Sequence, residues 1–106
     1  MSENPIVSLT HALSEEELRL KAWLGDAVLG LFMRRKIAEV RGRIDTPAFI
    51  EATSNQFLSS FGAPTRVEAQ IGILYQRHGI EAAEQFLETE IWPRVERRIL
   101  SGIAKR

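Results

Sequence analysis

Asp26 stands in the most apolar stretch of the chain, between Trp23-Leu24-Gly25 and Ala27-Val28-Leu29. A carboxylate taken out of water without a partner costs several kcal/mol, so a compensating group must face it. A neighbouring cation such as Arg19 or Lys21, or a hydrogen-bonding helix end, would do this structurally. Convergence with a second acid would instead make a site able to hold a cation or move a proton. Glu68 is the other acid inside an apolar pattern, and it has a structural reading of its own as the third helical residue of a capping box opened by Thr65. His11 and His78 lack metal-ligand spacing to one another, and the absence of cysteine removes thiolate metal sites, disulfides and cysteine nucleophiles.

The elements that must position these acids all read as helices. Apolar residues recur at spacings of three and four, and no β-branched period-2 run is present. A short first helix is expected over residues 5–13. Ser14 and Glu17 then form a capping box that opens a long central helix. Its inward stripe is expected to run through Leu20, Trp23 or Leu24, Ala27 or Val28, and Leu31 toward Val40, with Gly42 ending it. Gly25 and Gly30 within this helix each cost about 1 kcal/mol relative to Ala, so a neighbouring backbone or a ligand should approach there.

Thr46 as N-cap with Pro47 after it starts the next helix, which should carry Phe49, Ile50, Phe57 and Leu58 inward and stop before Gly62. Thr65 and Glu68 open the fourth, running through Val67, Ile71, Leu74 and Tyr75 to Gly79. The fifth carries Ala83, Phe86, Leu87 and Ile91 before Pro93 kinks or restarts it. The expected fold is an all-α compact bundle of five to six helices.

With 106 residues, 44% hydrophobic and 26% charged, the chain has the size and composition of one globular domain over residues 1–106 and is not a disordered or low-complexity chain. The longest apolar run is far short of the ~20 residues that span a bilayer, and neither a signal peptide nor a cysteine framework is present. A soluble, cytoplasmic protein is expected. Net charge is zero, which argues against strong nonspecific nucleic-acid binding, yet the charge is segregated. Residues 32–43 carry Arg34, Arg35, Lys36, Arg41 and Arg43 against Glu39, and residues 92–106 carry five basic residues against Glu96.

The run LRLKAWLGDAVLGL from Leu18, VEAQIGILY from Val67 and GIEAA from Gly79, in that order on an all-helical chain, resemble the ribonuclease III domain. That family reads E-x-x-E-F-L-G-D-[AS]-V-L in the first motif and D-x-x-E-A-L-I-G-A-[IL]-Y-L-D-x-G in the second. Leu9, Thr10 and His11 are similar to the end of its first helix, so the matches spread from Leu9 to Phe86. Asp26 and Glu68 fall on two of the family's acidic positions. Arg19 and Ala22 stand where it usually has Glu, and Thr65 where it has Asp. At these positions the chain is closer to the Mini-ribonuclease III branch, which has no separate double-stranded-RNA-binding domain. That branch looks like A-Y-[IM]-G-D-A and S-T-x-F-E-A-L-L-G, which Ala22, Asp26, Thr65 and Glu68 fit. The connection between Ser60 and Thr65 is shorter than in either branch and lacks the basic RNA-engaging loop.

The resemblance implies a metal-dependent endoribonuclease that hydrolyses double-stranded or structured RNA in ribosomal RNA processing. Asp26 and Glu68 would be the catalytic and metal-binding pair, with Mg2+ as cofactor and Mn2+ as the other candidate. It also implies a homodimer with Trp23 inserted into the partner subunit. Arg34, Arg35, Lys36, Arg41 and Arg43 are either solvated helix-end charges or contacts to RNA phosphates. Two other readings stand beside the enzyme: a degenerate ribonuclease III-like module that binds RNA or a protein without cutting, and a helical protein-interaction module unrelated to RNA.

Overall fold

The long central helix, α1 (Glu15–Arg41), begins where its cap places it. In the computed structural model, which describes residue 10 and residues 12–101, Ser14 Oγ accepts from the Glu17 amide at 3.2 Å and Glu17 Oε1 accepts from the Ser14 amide at 2.9 Å. Three glutamates in the first turn complement the positive end of the helix dipole. Gly42, at φ 71°, ends the helix in the left-handed region, donating its N–H to the Ala38 carbonyl. Twenty-seven residues make a rod of roughly 40 Å, so α1 runs most of the molecule's 44 Å long axis. The expected helix over residues 5–13 falls outside the described residues except at Thr10, Ala12 and Leu13.

α1 buries a different stripe from the one the sequence pattern suggests. Leu18, Ala22, Val28, Leu29, Phe32, Met33 and Ile37 face the core, while Leu20, Trp23, Leu31 and Val40 are exposed. The helix is apolar on nearly every side of its middle, so periodicity alone cannot pick the inward face.

α2 (Thr46–Ala52) is capped by Asp45, not Thr46: the Asp45 carboxylate accepts from the Ala48 amide at 3.2 Å and from Arg41 Nε at 3.1 Å. The hydrogen bond from Ala48, foremost, and the arginine beside it hold the Asp45 carboxyl below the usual range. The expected single helix past Leu58 is broken, because Thr53 Oγ1 donates to the Phe49 carbonyl and Ser54 Oγ caps α3 (Asn55–Leu58) by accepting from the Phe57 amide. Ala48, Ala52, Phe57 and Leu58 are buried, whereas Ile50 faces solvent.

α4 (Pro64–His78) starts with Pro64 in its first turn and has no side-chain cap, so the expected Thr65–Glu68 capping box does not form. Both residues lie inside the helix. Gly79, at φ 92°, turns the chain into α5 (Ile80–Phe86). The helical path then continues through a π-helical turn (Leu87–Ile91), α6 (Trp92–Val95) and a second π-helical turn (Glu96–Leu100). Pro93 cannot donate a backbone hydrogen bond, and the wide turns on either side absorb the lost register.

Among the described residues there is no strand, and the fold is an all-α bundle. Its main core gathers the second half of α1 with residues from α2 to the last π-turn, including an edge-to-face Phe32–Trp92 pair at 6.1 Å. A small second cluster, Leu18, Ala22 and Ala69 with Leu13 against them, lies near the start of α1. No described helix is long and apolar enough to cross a membrane.

Candidate active site

Between the two clusters, α1 and α4 cross backbone against backbone. A Cβ on Gly25 would stand 2.7 Å from the Glu68 carbonyl carbon, closer still to its oxygen, and 2.9 Å from the Gly72 nitrogen. A Cβ on Gly72 would stand 2.9 Å from the Lys21 carbonyl carbon and 3.1 Å from the Gly25 nitrogen. Only two glycines permit such an approach. The contacts pair Gly25 with Glu68 and Lys21 with Gly72, so the helices run antiparallel, and Lys21 Nζ donates to Gln76 Oε1 further along the same seam.

This crossing brings Asp26 beside Glu68. Burial, first, and then the hydrogen bond and the repulsion from the Asp26 carboxylate raise the Glu68 pKa to about 7. Near neutral pH Glu68 is therefore poised between its protonated and ionised forms. No ion pair among the described residues joins a lysine or arginine to either acid. Neither Arg19 nor Lys21 plays the compensating role considered for Asp26, and the capping role considered for Glu68 is absent too.

Two adjacent carboxyl groups whose charges repel, with no cation paired to them among the described residues, can bind a hard divalent ion that keeps most of its waters, or pass a proton. Among the described residues no group of three His, Cys, Asp or Glu side chains converges, so the protein offers two acidic ligands here. Ala22 is buried in the small second cluster, while Arg19 and Thr65 are exposed. Trp23, one turn before Asp26, is 73% exposed.

The five basic residues of the α1 end lie apart from the acids and divide by their contacts. Arg35 pairs with Glu84 at 3.0 Å, Lys36 with Glu88 at 2.9 Å, and Arg41 with Asp45 while also donating to the Leu100 carbonyl. Arg34 stacks over Phe49 at 4.1 Å, and Arg43 donates to the Ile44 carbonyl. Helix-to-helix pairing thus accounts for three of them. Arg94 is likewise occupied, donating to Ser60 and lying over Phe61. His78 is exposed, and His11 lies outside the described residues.

Sequence reasoning singled out Gly25 for a close approach but not its counterpart Gly72, whose signal was a glycine four residues after Glu68 inside a helix. Gly30 has only side chains nearby, Arg34 Nη1 at 3.1 Å from a built Cβ and Phe49 at 4.0 Å. Comparison with protein-family models, curated proteins and solved structures finds no match to this chain.

Proposed function

We propose that the protein is a ribonuclease III-like endoribonuclease, close in its motifs to the Mini-ribonuclease III branch, that cuts double-stranded or structured RNA as a homodimer. The observation that carries this reading is the Asp26–Glu68 pair: two acids from separate motifs, brought together by a glycine crossing and without an ion-pair partner among the described residues. A fold selected for stability alone would have paired or removed one of them.

The donor set suits magnesium, which binds through one or two carboxylates and completes its shell with water and substrate phosphate. Asp26 and Glu68 would hold the ion, which when bound would supply Lewis-acid polarisation of the scissile phosphate and an acidified water. Glu68, whose pKa is raised to about 7 without an ion, would be held ionised beside one and serve as a ligand. Exposed Asp26 fixes the negative potential at the rim of the crossing. Exposed Trp23 is the proposed dimer anchor, and two equivalent centres related by a two-fold axis would be needed to cut both strands of a duplex.

The second reading, a degenerate module that binds RNA or a protein without cutting, is favoured by the absence of a third converging acid among the described residues. Cleavage of a fully paired RNA at low salt, with and without magnesium, separates the two. The nuclease gives metal-dependent products that vanish in Asp26→Asn and Glu68→Gln. The degenerate module gives salt-sensitive, magnesium-independent binding and no products.

A further inference from the structure

Among the described residues no cation pairs with the acids, while the same helix carries arginines at its far end. Leu20, Trp23 and Leu31 project from one face of α1, and with Ala27 among them they form an apolar ridge about three turns long. Beyond the ridge, where α1 meets α2, lies a groove of about 440 Å³ lined by Arg34, Ala38, Ile44, Phe49 and Ile50 among others. Ile44 is 84% exposed there. The helix is also polarised in charge: Glu15, Glu16, Glu17 and Asp26 outnumber Arg19 and Lys21 in its first half, and Arg34, Arg35, Lys36 and Arg41 outnumber Glu39 in its second.

A ridge and a groove on one helix, with opposite charges toward its two ends, are self-complementary under a two-fold axis. Setting two copies of α1 antiparallel, with Trp23 over the Ala38 part of the groove, puts the axis beside Gly30 and Leu31. In that register Asp26 and Ala27 lie opposite the partner's Arg35 and the partner's Arg34. Arg35 is engaged by Glu84 in its own chain, whereas Arg34 rests on Phe49 at the groove and has no carboxylate partner among the described residues. With the Trp23-anchored dimer as premise, we infer that each acid pair is completed in trans: the second copy presents its Arg34 to the RNA phosphate that an ion at Asp26 and Glu68 would hold. This inference rests on the dimeric nuclease reading and adds to it which residue the partner supplies.

Two measurements test it, and the cysteine-free chain makes the first direct. Oxidised Leu31→Cys should become a covalent dimer of twice the 12.0 kDa chain, while Gln76→Cys, exposed on α4 and outside the ridge, should not. A monomeric native protein, or no cross-link at residue 31, overturns the inference and leaves the ridge to a different protein chain. The second mixes two inactive homodimers. Asp26→Asn and Arg34→Ala should each cut at least tenfold more slowly than the native protein. After subunit exchange in equal amounts, half the dimers are mixed and each holds one complete centre, so about a quarter of native activity should return. A native protein that cuts, with no recovery on mixing, overturns the supply in trans while the nuclease reading stands. A native protein that cross-links at residue 31 but never cuts overturns the nuclease reading and this inference with it.

Discussion

The two halves of α1 treat charge in opposite ways. In the second half, Arg35 and Lys36 reach across to Glu84 on α5 and Glu88 on the π-helical turn after it, and Arg41 ties the helix end to the Asp45 cap. In the first half, Asp26 meets another acid across the Gly25–Gly72 backbone crossing, and no basic side chain among the described residues forms an ion pair with either. Both arrangements sit on one continuous helix beside apolar packing, so neither composition nor local helix propensity explains the difference. Ion pairs between packed helices at the surface are ordinary stabilising devices. Juxtaposed like charges work against the fold and persist where something outside the chain uses them. The second half of α1 is thus readable as architecture, and the first half as the proposed site, held by the glycine crossing.

If the crossing holds the site, its glycines should be the most sensitive positions. Gly25→Ala or Gly72→Ala places a methyl against the backbone of the opposite helix, which cannot give as a side chain can. Each should lose about 3 kcal/mol or more in urea denaturation and leave little folded protein. Gly30→Ala is the matching control in the same helix. Its only close neighbour is the end of the Arg34 side chain, so the gain in helix propensity, about 1 kcal/mol, should offset the small displacement. Equal losses at residues 25 and 30 would show that the crossing is no tighter than the rest of α1.

The next effect separates activity from stability. Asp26→Asn and Glu68→Gln should each lower magnesium-dependent RNA cleavage by about a hundredfold or more. Glu68→Gln should also make the fold more stable, with a sign fixed by linkage. Glu68 is pushed up from 4.5 to about 7 in the native protein, so between those values the native state holds more protons than the unfolded chain and stability falls as pH rises. The penalty is complete above about pH 7 and absent well below 4.5. Melting at pH 8 should favour Glu68→Gln over the native chain by about 1–2 kcal/mol, after a discount for screening at this half-exposed carboxyl. The advantage should vanish at pH 4. A variant no more stable at pH 8 would mean that the two acids do not oppose one another.

Magnesium should act on the same balance from the other side. A bound divalent ion favours the ionised pair, so saturating Mg2+ should stabilise the native protein at pH 8 by about 1 kcal/mol or more, and by less at pH 5, where Glu68 holds its proton. In Asp26→Asn the stabilisation should be lost. Calorimetric scans at the two pH values read this without any RNA.

These contrasts also mark what could be read from sequence. The Ser14–Glu17 capping box, Gly42 as helix end and the disturbance around Pro93 rest on local chemistry, which a linear pattern carries, and the structure has all three. Asp26 and Glu68 stood out as acids within apolar text, but only Glu68 is partly buried; Asp26 is exposed, so the expected cost of desolvating it does not arise. Their meeting depends on Gly72 finding Gly25, a tertiary fact that only the seam of two packed helices reveals. Two caps were misplaced by a residue or more: Asp45 outcompetes Thr46 because its carboxylate can also take Arg41, and Pro64 starts α4 early enough to carry Thr65 inside it. The inward face of α1 failed for a different reason. A helix that packs on one side and exposes Leu20, Trp23 and Leu31 on another has no single apolar stripe to find.

The smallest expected effect lies in the paired half and tests whether its charges are only architecture. Lys36 contacts Glu88 at 2.9 Å and also lies 5.2 Å from the centre of the Trp92 ring, which packs edge-on against Phe32. Glu88→Gln removes the ion pair and leaves the cation on the ring. Lys36→Met removes both contacts yet keeps an apolar stem over the tryptophan. Each should cost between about 0.2 and 1 kcal/mol, with the lysine change the larger. A double-mutant cycle should give a coupling that shrinks as salt screens the pair. Neither change should alter the rate of RNA cleavage at fixed ionic strength by more than about twofold. A large loss of cleavage in Lys36→Met, with Glu88→Gln unaffected, would give the lysine a second task at the RNA surface and extend the functional half of α1 past its midpoint.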